Sequence, residues 1–170
     1  MKKPIVLPTF VSSLRIAALP LFFYLFNLGN AAACLGLLAF SAATDFLDGY
    51  LARKLSSTSR LGAYYDATTD FILTAGIFSI FYVNGFYPLW LPLLIAASFA
   101  QFLVTSFYAK KFYDPVGRYF GSALYIGIVL TLLWPIQAVV AFVQYAFVAF
   151  FLVSLASRIV SLTRKQKQRN

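Results

Sequence analysis

The sequence predicts an all-α integral membrane protein: a six-transmembrane-helix bundle with both termini in the cytoplasm. The prediction depends on composition, on the length of the uncharged stretches and on the distribution of basic residues. Hydrophobic residues make up 61% of the 170 residues and charged residues only 11%, against roughly 25% in a soluble domain. A chain of this length cannot bury so many apolar side chains in one soluble core, so we expect them to face lipid.

Three long stretches contain no charged residue: 16–44, 71–109 and 119–157. As a single straight helix, each of the last two would be about 58 Å long, roughly twice the hydrocarbon thickness of a bilayer. Each stretch must therefore turn back, and turn-forming residues occur in all three, at 27–30, 84–88 and 134–135. The six predicted helices are 12–28, 31–54, 61–84, 88–109, 119–134 and 137–162, in a single membrane domain spanning residues 1–170.

The 14 basic residues all fall on one side of this predicted bundle. They lie around the start of the first helix, between the second and third helices, between the fourth and fifth, and towards the end of the chain. By the positive-inside rule this side is cytoplasmic. The net charge of +9 then suits anionic membrane lipids better than nucleic acid. We predict a location in the cytoplasmic membrane and no nucleic-acid partner.

The five acidic residues are all aspartates, and four of them lie between residues 45 and 70. With no histidine and one cysteine, the chain has no His-based catalytic site, no His-ligated metal and no internal disulfide. Asp45 and Asp48 are three residues apart at the end of the second predicted helix. Asp66 and Asp70 are four apart at the start of the third, so each pair shares a helical face. The helical hairpin can bring all four carboxylates together on the cytoplasmic side.

Four neighbouring carboxylates repel one another and need positive partners. Arg53 and Arg60 are too few to form ion pairs with all four, whereas hard divalent cations prefer sites made only of oxygen atoms. We therefore predict a Mg²⁺ or Mn²⁺ site with two ions, an arrangement that is common in phosphoryl displacement. The alternative is a charged helix-loop-helix elbow at the membrane interface, which would not require this fixed spacing.

The segment 45–70 resembles the signature of the CDP-alcohol phosphotransferase family, DxxDGxxAR-x(8)-GxxxDxxxD, and matches every fixed position. The start of the chain, with Pro8, Arg15 and Pro20, also resembles the family's first-helix pattern. The resemblance implies transfer of a lipid phosphate from a CDP-lipid such as CDP-diacylglycerol to a small alcohol, release of CMP, and a homodimer. It implies metal binding by Asp45, Asp48, Asp66 and Asp70, a general base at Asp70, and nucleotide contacts at Gly49, Ala52, Arg53 and Gly62.

The acceptor alcohol is predicted from four basic residues, Lys110, Lys111, Arg118 and Arg158. If they converge on the site they form a pocket for an anion, which favours a phosphorylated acceptor; otherwise they anchor the helices at the lipid headgroups. We rank glycerol 3-phosphate first, giving a phosphatidylglycerophosphate synthase-like role in phospholipid biosynthesis, because that activity is widespread. The alternatives are inositol phosphate, inositol or serine as acceptor, an archaeal-type donor lipid, or a cation transporter, which would place its acids near the bilayer midplane.

Overall fold

The computed structural model describes the backbone of residues 6–54, 60–109 and 117–167, and the side chains of residues 15–44, 46, 64–104 and 119–157. Within these ranges the regular structure is helical and there is no strand, so the predicted all-α class is confirmed. The helices are α1 (Val6–Asn27), α2 (Ala31–Lys54), α3 (Arg60–Val83), α4 (Trp90–Ala109), α5 (Gly117–Leu133) and α6 (Gln137–Lys167).

The predicted helix ends agree with the structure within two residues at all but two positions. The first helix begins at Val6 rather than residue 12, and the last continues to Lys167 rather than ending at 162. Pro8 does not delay the start of α1, because it lies in the first turn, where backbone N–H groups have no partner within the helix. The basic end of α6 contains no Gly or Pro, and positive side chains suit a helix C-terminus.

The turn between α1 and α2 is closed by a Schellman motif. Gly29 has a φ of 70°, a left-handed conformation that glycine adopts without steric cost. Its N–H donates to the Phe26 carbonyl at 2.9 Å, and the Asn30 N–H donates to the Leu25 carbonyl at 3.1 Å. The Asn30 side chain then accepts a hydrogen bond from the Ala33 N–H at 3.0 Å and caps α2. The two helices therefore run antiparallel as a tight hairpin.

The end of α3 repeats this arrangement. Gly85 has a φ of 79°, its N–H donates to the Tyr82 carbonyl at 2.9 Å, and the Phe86 N–H donates to the Phe81 carbonyl at 2.9 Å. Between α5 and α6 the break coincides with Pro135, which cannot donate a helical hydrogen bond. The turn signals seen in the sequence thus fall where the helices end.

The chain divides after Ile80 into two compact units. In the first unit, α1 packs against α2. It also approaches α3 closely at Gly76, where a Cβ atom would lie 2.5 Å from the Leu19 side chain. A small residue at such a contact lets two helix backbones come together. The predicted carboxylate segment, residues 45–70, lies within this first unit.

In the second unit, α6 packs against both α4 and α5. The Thr131 hydroxyl donates to the Gly127 carbonyl at 2.7 Å, so the Tyr87 hydroxyl, 2.6 Å from the Thr131 oxygen, acts as the donor in that bond. Burial raises the pKa of the Tyr87 phenol, an effect larger than the lowering by the Thr131 hydrogen bond. The phenol therefore stays protonated at neutral pH and keeps this donor role.

Large apolar side chains lie on the outside of the described helices, and several polar ones lie inside. Tyr24, Phe40 and Tyr145 are among the exposed hydrophobic residues, whereas Arg15 and Thr74 are buried. Exposing this much apolar surface to water is energetically unfavourable, whereas the same surface is compatible with contact to lipid chains. The distribution supports a membrane location.

Two helical segments among the described residues are long and apolar enough to cross a membrane, Tyr64–Val83 and Gln137–Ser157. Shorter apolar helical segments also occur. These are Arg15–Asn27, Ala31–Thr44, Trp90–Val104 and Tyr119–Leu133.

Candidate metal and active site

The site is built around a buried arginine of α1 and two aspartates of α3. The same nitrogen of Arg15, Nη1, lies 3.1 Å from Asp66 Oδ1 and 2.5 Å from Asp70 Oδ1. One guanidinium therefore donates to both carboxylates and links α1 to α3. Since Asp66 and Asp70 are one turn apart on α3, the helix itself places the two carboxylates side by side.

The burial of this cluster is uneven. Arg15 is only 2% exposed, whereas the side chains of Asp66 and Asp70 are 44% and 34% exposed. The arginine thus supports the carboxylates from inside the first unit, and each carboxylate keeps a face towards the surroundings. A charged side chain in an apolar interior needs such partners, because burying an unpaired charge is very unfavourable.

Two threonines next to the aspartates bond to the backbone and not to the carboxylates. The Thr69 hydroxyl donates to the Asp66 carbonyl at 2.8 Å, and the Thr74 hydroxyl donates to the Asp70 carbonyl at 2.9 Å. Both threonines are buried. Their hydroxyls are thus satisfied within α3, as is usual for threonine inside a helix.

The aspartates of α2 are described at the level of the backbone only. Asp45 and Asp48 lie in α2, with Gly49 and Ala52 one turn further along the same helical face. Arg53 is also in α2, and Gly62 lies in the first turn of α3. The side chains at these positions lie outside the described residues. Their assignment to metal and nucleotide binding therefore stays a prediction.

The predicted acceptor residues also fall where side chains are not described. Arg118 and Arg158 belong to the helical backbone of α5 and α6. Lys110 and Lys111 lie outside the described residues altogether. The convergence of these four residues on one anion pocket stays a prediction.

Sequence reasoning did not assign Arg15 to the site. It counted Arg15 among the charges that set the topology and considered only Arg53 and Arg60 as partners of the aspartates. A usable signal was present, because an arginine followed by a long uncharged helix is costly without a partner. The partners are 51 and 55 residues away in sequence, a distance over which helical periodicity gives no information.

The described cluster has the donor chemistry that a hard divalent cation requires. Asp66 and Asp70 offer oxygen ligands in one place, and both are already oriented towards a single cationic group, the Arg15 guanidinium. The described side chains include no group of three or more acidic, Cys or His residues that could complete a metal site by themselves. Further ligands would have to come from the α2 aspartates, whose backbone positions lie within the same unit.

The sequence model of the CDP-alcohol phosphatidyltransferase family matches residues 5–164. The match covers nearly the whole chain, and the chain belongs to this family. The segment 45–70 and the Arg15 cluster both lie inside the matched region.

Several curated relatives carry the name CDP-diacylglycerol–glycerol-3-phosphate 3-phosphatidyltransferase. The protein from Pseudomonas fluorescens is 35% identical over 103 residues, which cover 59% of this chain and 52% of the relative. Those from Yersinia enterocolitica and Pectobacterium atrosepticum are 31% and 30% identical over 103 residues, covering 59% of this chain and 56% of each relative. The chain thus spans about half the length of the curated relatives it matches. No solved structure matches it.

Proposed function

We propose that this protein is a membrane enzyme of phospholipid biosynthesis. In the proposed reaction it transfers a phosphatidyl group from CDP-diacylglycerol to glycerol 3-phosphate and releases CMP. The observation that carries the proposal is that the Arg15 guanidinium joins Asp66 and Asp70. Both aspartates belong to the segment 45–70, which matches the family signature at every fixed position, and the family model covers this segment and Arg15. The acceptor is taken from the names of the relatives described above, which specify glycerol 3-phosphate.

We propose that Asp45, Asp48, Asp66 and Asp70 together hold Mg²⁺ or Mn²⁺, as two ions. When bound, such ions neutralise the diphosphate and stabilise the charge that develops on the departing CMP. The oxygen-only donor set fits hard cations and offers nothing to thiolate-preferring metals. Gly49, Ala52, Arg53 and Gly62 are proposed to contact the nucleotide, since small residues beside the acids allow close approach.

The resemblance to the family signature assigns the general base to Asp70, and the proposed chemical step uses it in that role. The Asp70 carboxylate accepts the proton of the acceptor hydroxyl, and the hydroxyl oxygen forms a bond to the phosphorus that carries the lipid. The bond from that phosphorus to the oxygen bridging to CMP breaks, and the electron pair leaves with CMP. Arg15 holds Asp70 from the buried side through Nη1. An aspartate is a weak base, so positioning of this kind contributes much of the rate.

The proposed topology has six membrane spans in one domain, with both termini and the active site on the cytoplasmic side. The distribution of basic residues supports this orientation. We also propose a homodimer, as is typical of the family. Lys110, Lys111, Arg118 and Arg158 stay the candidates for the acceptor phosphate, and an increase in KM for glycerol 3-phosphate in Arg158→Ala is the expected sign of such a role.

The first test is CMP release by the purified protein with CDP-diacylglycerol, Mg²⁺ and one acceptor at a time. The acceptors are glycerol 3-phosphate, inositol phosphate, inositol and serine. We expect release with glycerol 3-phosphate that is lost on addition of EDTA. Release with another acceptor would correct the substrate, and no release with any of them would count against the transferase. A cation transporter predicts no CMP under any condition.

The second test distinguishes the loss of the general base from a nonspecific effect of removing a carboxylate. Asp70→Asn should abolish transfer while the protein remains folded and monodisperse. Asp114→Asn makes the same chemical change at the aspartate outside the signature and should keep wild-type turnover. Wild-type turnover in Asp70→Asn would refute the assignment of the base.

A further inference from the structure

A groove lies between α1 and α2 in the first unit, beside the Arg15 side chain. Its volume is about 240 Å³. This is smaller than the roughly 300–1,000 Å³ of a pocket that encloses a whole small ligand, so it suits one segment of a longer molecule. The residues lining it include Arg15, Ala18, Leu21, Leu37, Phe40 and Ser41.

The groove has a polar end and an apolar end. Arg15 precedes Leu21 on α1, and Ser41 follows Leu37 on α2. Because the hairpin is antiparallel, Arg15 and Ser41 lie at one end and the two leucines at the other. The polar end is also the end next to the carboxylates, since the Arg15 guanidinium bonds to Asp66 and Asp70.

The Ser41 hydroxyl is the feature that points to a ligand. Ser41 is 4% exposed, and its Oγ has no hydrogen-bond partner in the part of the chain that the structure describes. Other hydroxyls in the same unit are satisfied by their own helix: Thr44 donates to the Ser41 carbonyl, and Thr69 donates to the Asp66 carbonyl. A buried hydroxyl is normally paired, so one that lines a groove is suited to a ligand with an acceptor oxygen.

We propose that this groove binds the donor lipid, holding its glycerol-ester segment and the first part of one acyl chain. The Ser41 hydroxyl donates to an ester oxygen, and the chain continues between Leu21 and Leu37. Ser41 precedes Asp45 by about one turn on the same face of α2, about 6 Å along the helix. A lipid with its diphosphate beside the aspartates would therefore carry its ester oxygens level with Ser41. This inference rests on the proposed function and adds where the lipid portion of the donor lies.

The test uses two changes inside the groove and one matched change outside it. Ser41→Ala removes the hydroxyl, and Ala18→Leu fills the groove. Ala39→Leu makes the same substitution at an exposed position of α2 that is not among the groove-lining residues. For each purified variant, CMP release gives the KM for CDP-dioleoylglycerol and for a short-chain dihexanoyl donor. Binding of CDP with Mg²⁺, measured by calorimetry, reports the nucleotide part of the site separately.

For Ser41→Ala we expect a KM for the dioleoyl donor raised about fivefold, the effect of losing one hydrogen bond. With a donor whose chains are ether-linked and lack ester carbonyls, the increase should be smaller. For Ala18→Leu we expect an increase of about tenfold or more, because added methyl groups occupy the space of the chain. That increase should be weaker with the dihexanoyl donor. CDP affinity and the Ala39→Leu kinetics should match the wild type.

Two results would overturn the inference. One is an unchanged KM for the dioleoyl donor in both groove variants. The other is equal loss with long and short donors together with weaker CDP binding, which would mean that the substitutions only disturb the fold. In both cases the wild type still releases CMP, so the proposed function stands. Absence of CMP release from the wild type with every donor would instead overturn the proposed function and the donor assignment with it.

Discussion

Replacing Arg15 by leucine removes the cation that joins α1 to the two aspartates while keeping an apolar side chain in its place. In the wild type, Nη1 of Arg15 binds Asp66 Oδ1 at 3.1 Å and Asp70 Oδ1 at 2.5 Å. The substitution leaves two carboxylates one turn apart on α3 without this partner, and they repel each other. We expect a folded but less stable protein.

The size of the loss follows from the burial of the three groups. Removing one partner of a fully buried ion pair costs about 3–5 kcal/mol, whereas an exposed pair contributes about 0–1 kcal/mol. Here the removed arginine is buried, but the remaining carboxylates are 44% and 34% exposed, and water can partly solvate them. An intermediate loss of about 2 kcal/mol is expected. For a chain of this length this corresponds to a Tm lower by about 4–8 °C.

Thermal unfolding in detergent measures this loss, with and without saturating MgCl₂. Because a bound cation can replace the positive charge of the guanidinium beside the two carboxylates, the rise in Tm on adding Mg²⁺ should be larger in Arg15→Leu than in the wild type. Arg15→Lys keeps a charge but not the planar guanidinium, so its Tm should be intermediate. In a double-mutant cycle with Asp70→Asn, the two losses should be clearly less than additive, since both changes break the same contact.

A Tm for Arg15→Leu within about 1 °C of the wild type would refute this reasoning. Additive losses in the cycle would also refute it, because they would mean that Arg15 and Asp70 stabilise the protein independently. A larger Mg²⁺ effect in the wild type than in the variant would show that the arginine helps the carboxylates to bind the ion and does not substitute for it.

Two pairs of glycine substitutions test the helix packing and the turns by the same measurement. Gly127→Ala should lower stability by about 1–3 kcal/mol, because its Cβ would lie 2.8 Å from the buried Phe147 ring; Gly121→Ala, with open space on the same helix, should be neutral or stabilising by up to about 1 kcal/mol. Gly85→Ala should cost about 1 kcal/mol or more because of its φ of 79°, whereas Gly36→Ala in α2 should not destabilise. Equal Tm values within either pair would contradict the corresponding prediction.

Helix positions could be predicted from the sequence because the determinants are local. Long uncharged stretches, bilayer thickness and a few turn residues placed helix ends within two residues in most cases. At Gly29 and Gly85 the turn signal has a direct structural cause, since both glycines adopt positive φ. The predicted first helix starts at residue 12, whereas α1 starts at Val6; Pro8 is compatible with this earlier start because it lies in the first helical turn.

The site was only partly predictable. The spacing of Asp66 and Asp70 places them on one helical face, and the structure brings both to one atom of Arg15. That the cation comes from α1 depends on how α1 packs against α3, including the close approach at Gly76. The open hydroxyl of Ser41 has no signature in the sequence, because most helical serines bond to their own backbone.

The charge balance of the cluster connects Arg15 to the proposed metal site. The Arg15 guanidinium and the two carboxylates by themselves sum to one formal negative charge, and the carboxylates are partly exposed. If the side chains of Asp45 and Asp48 join the cluster, as proposed, the excess grows, and the described first unit contributes no other buried charged side chain. Like charges at this density are unfavourable unless cations bind or the groups take up protons. Arg15 therefore links the α3 pair to α1, and the proposed divalent ions would supply the further positive charge that four neighbouring carboxylates require.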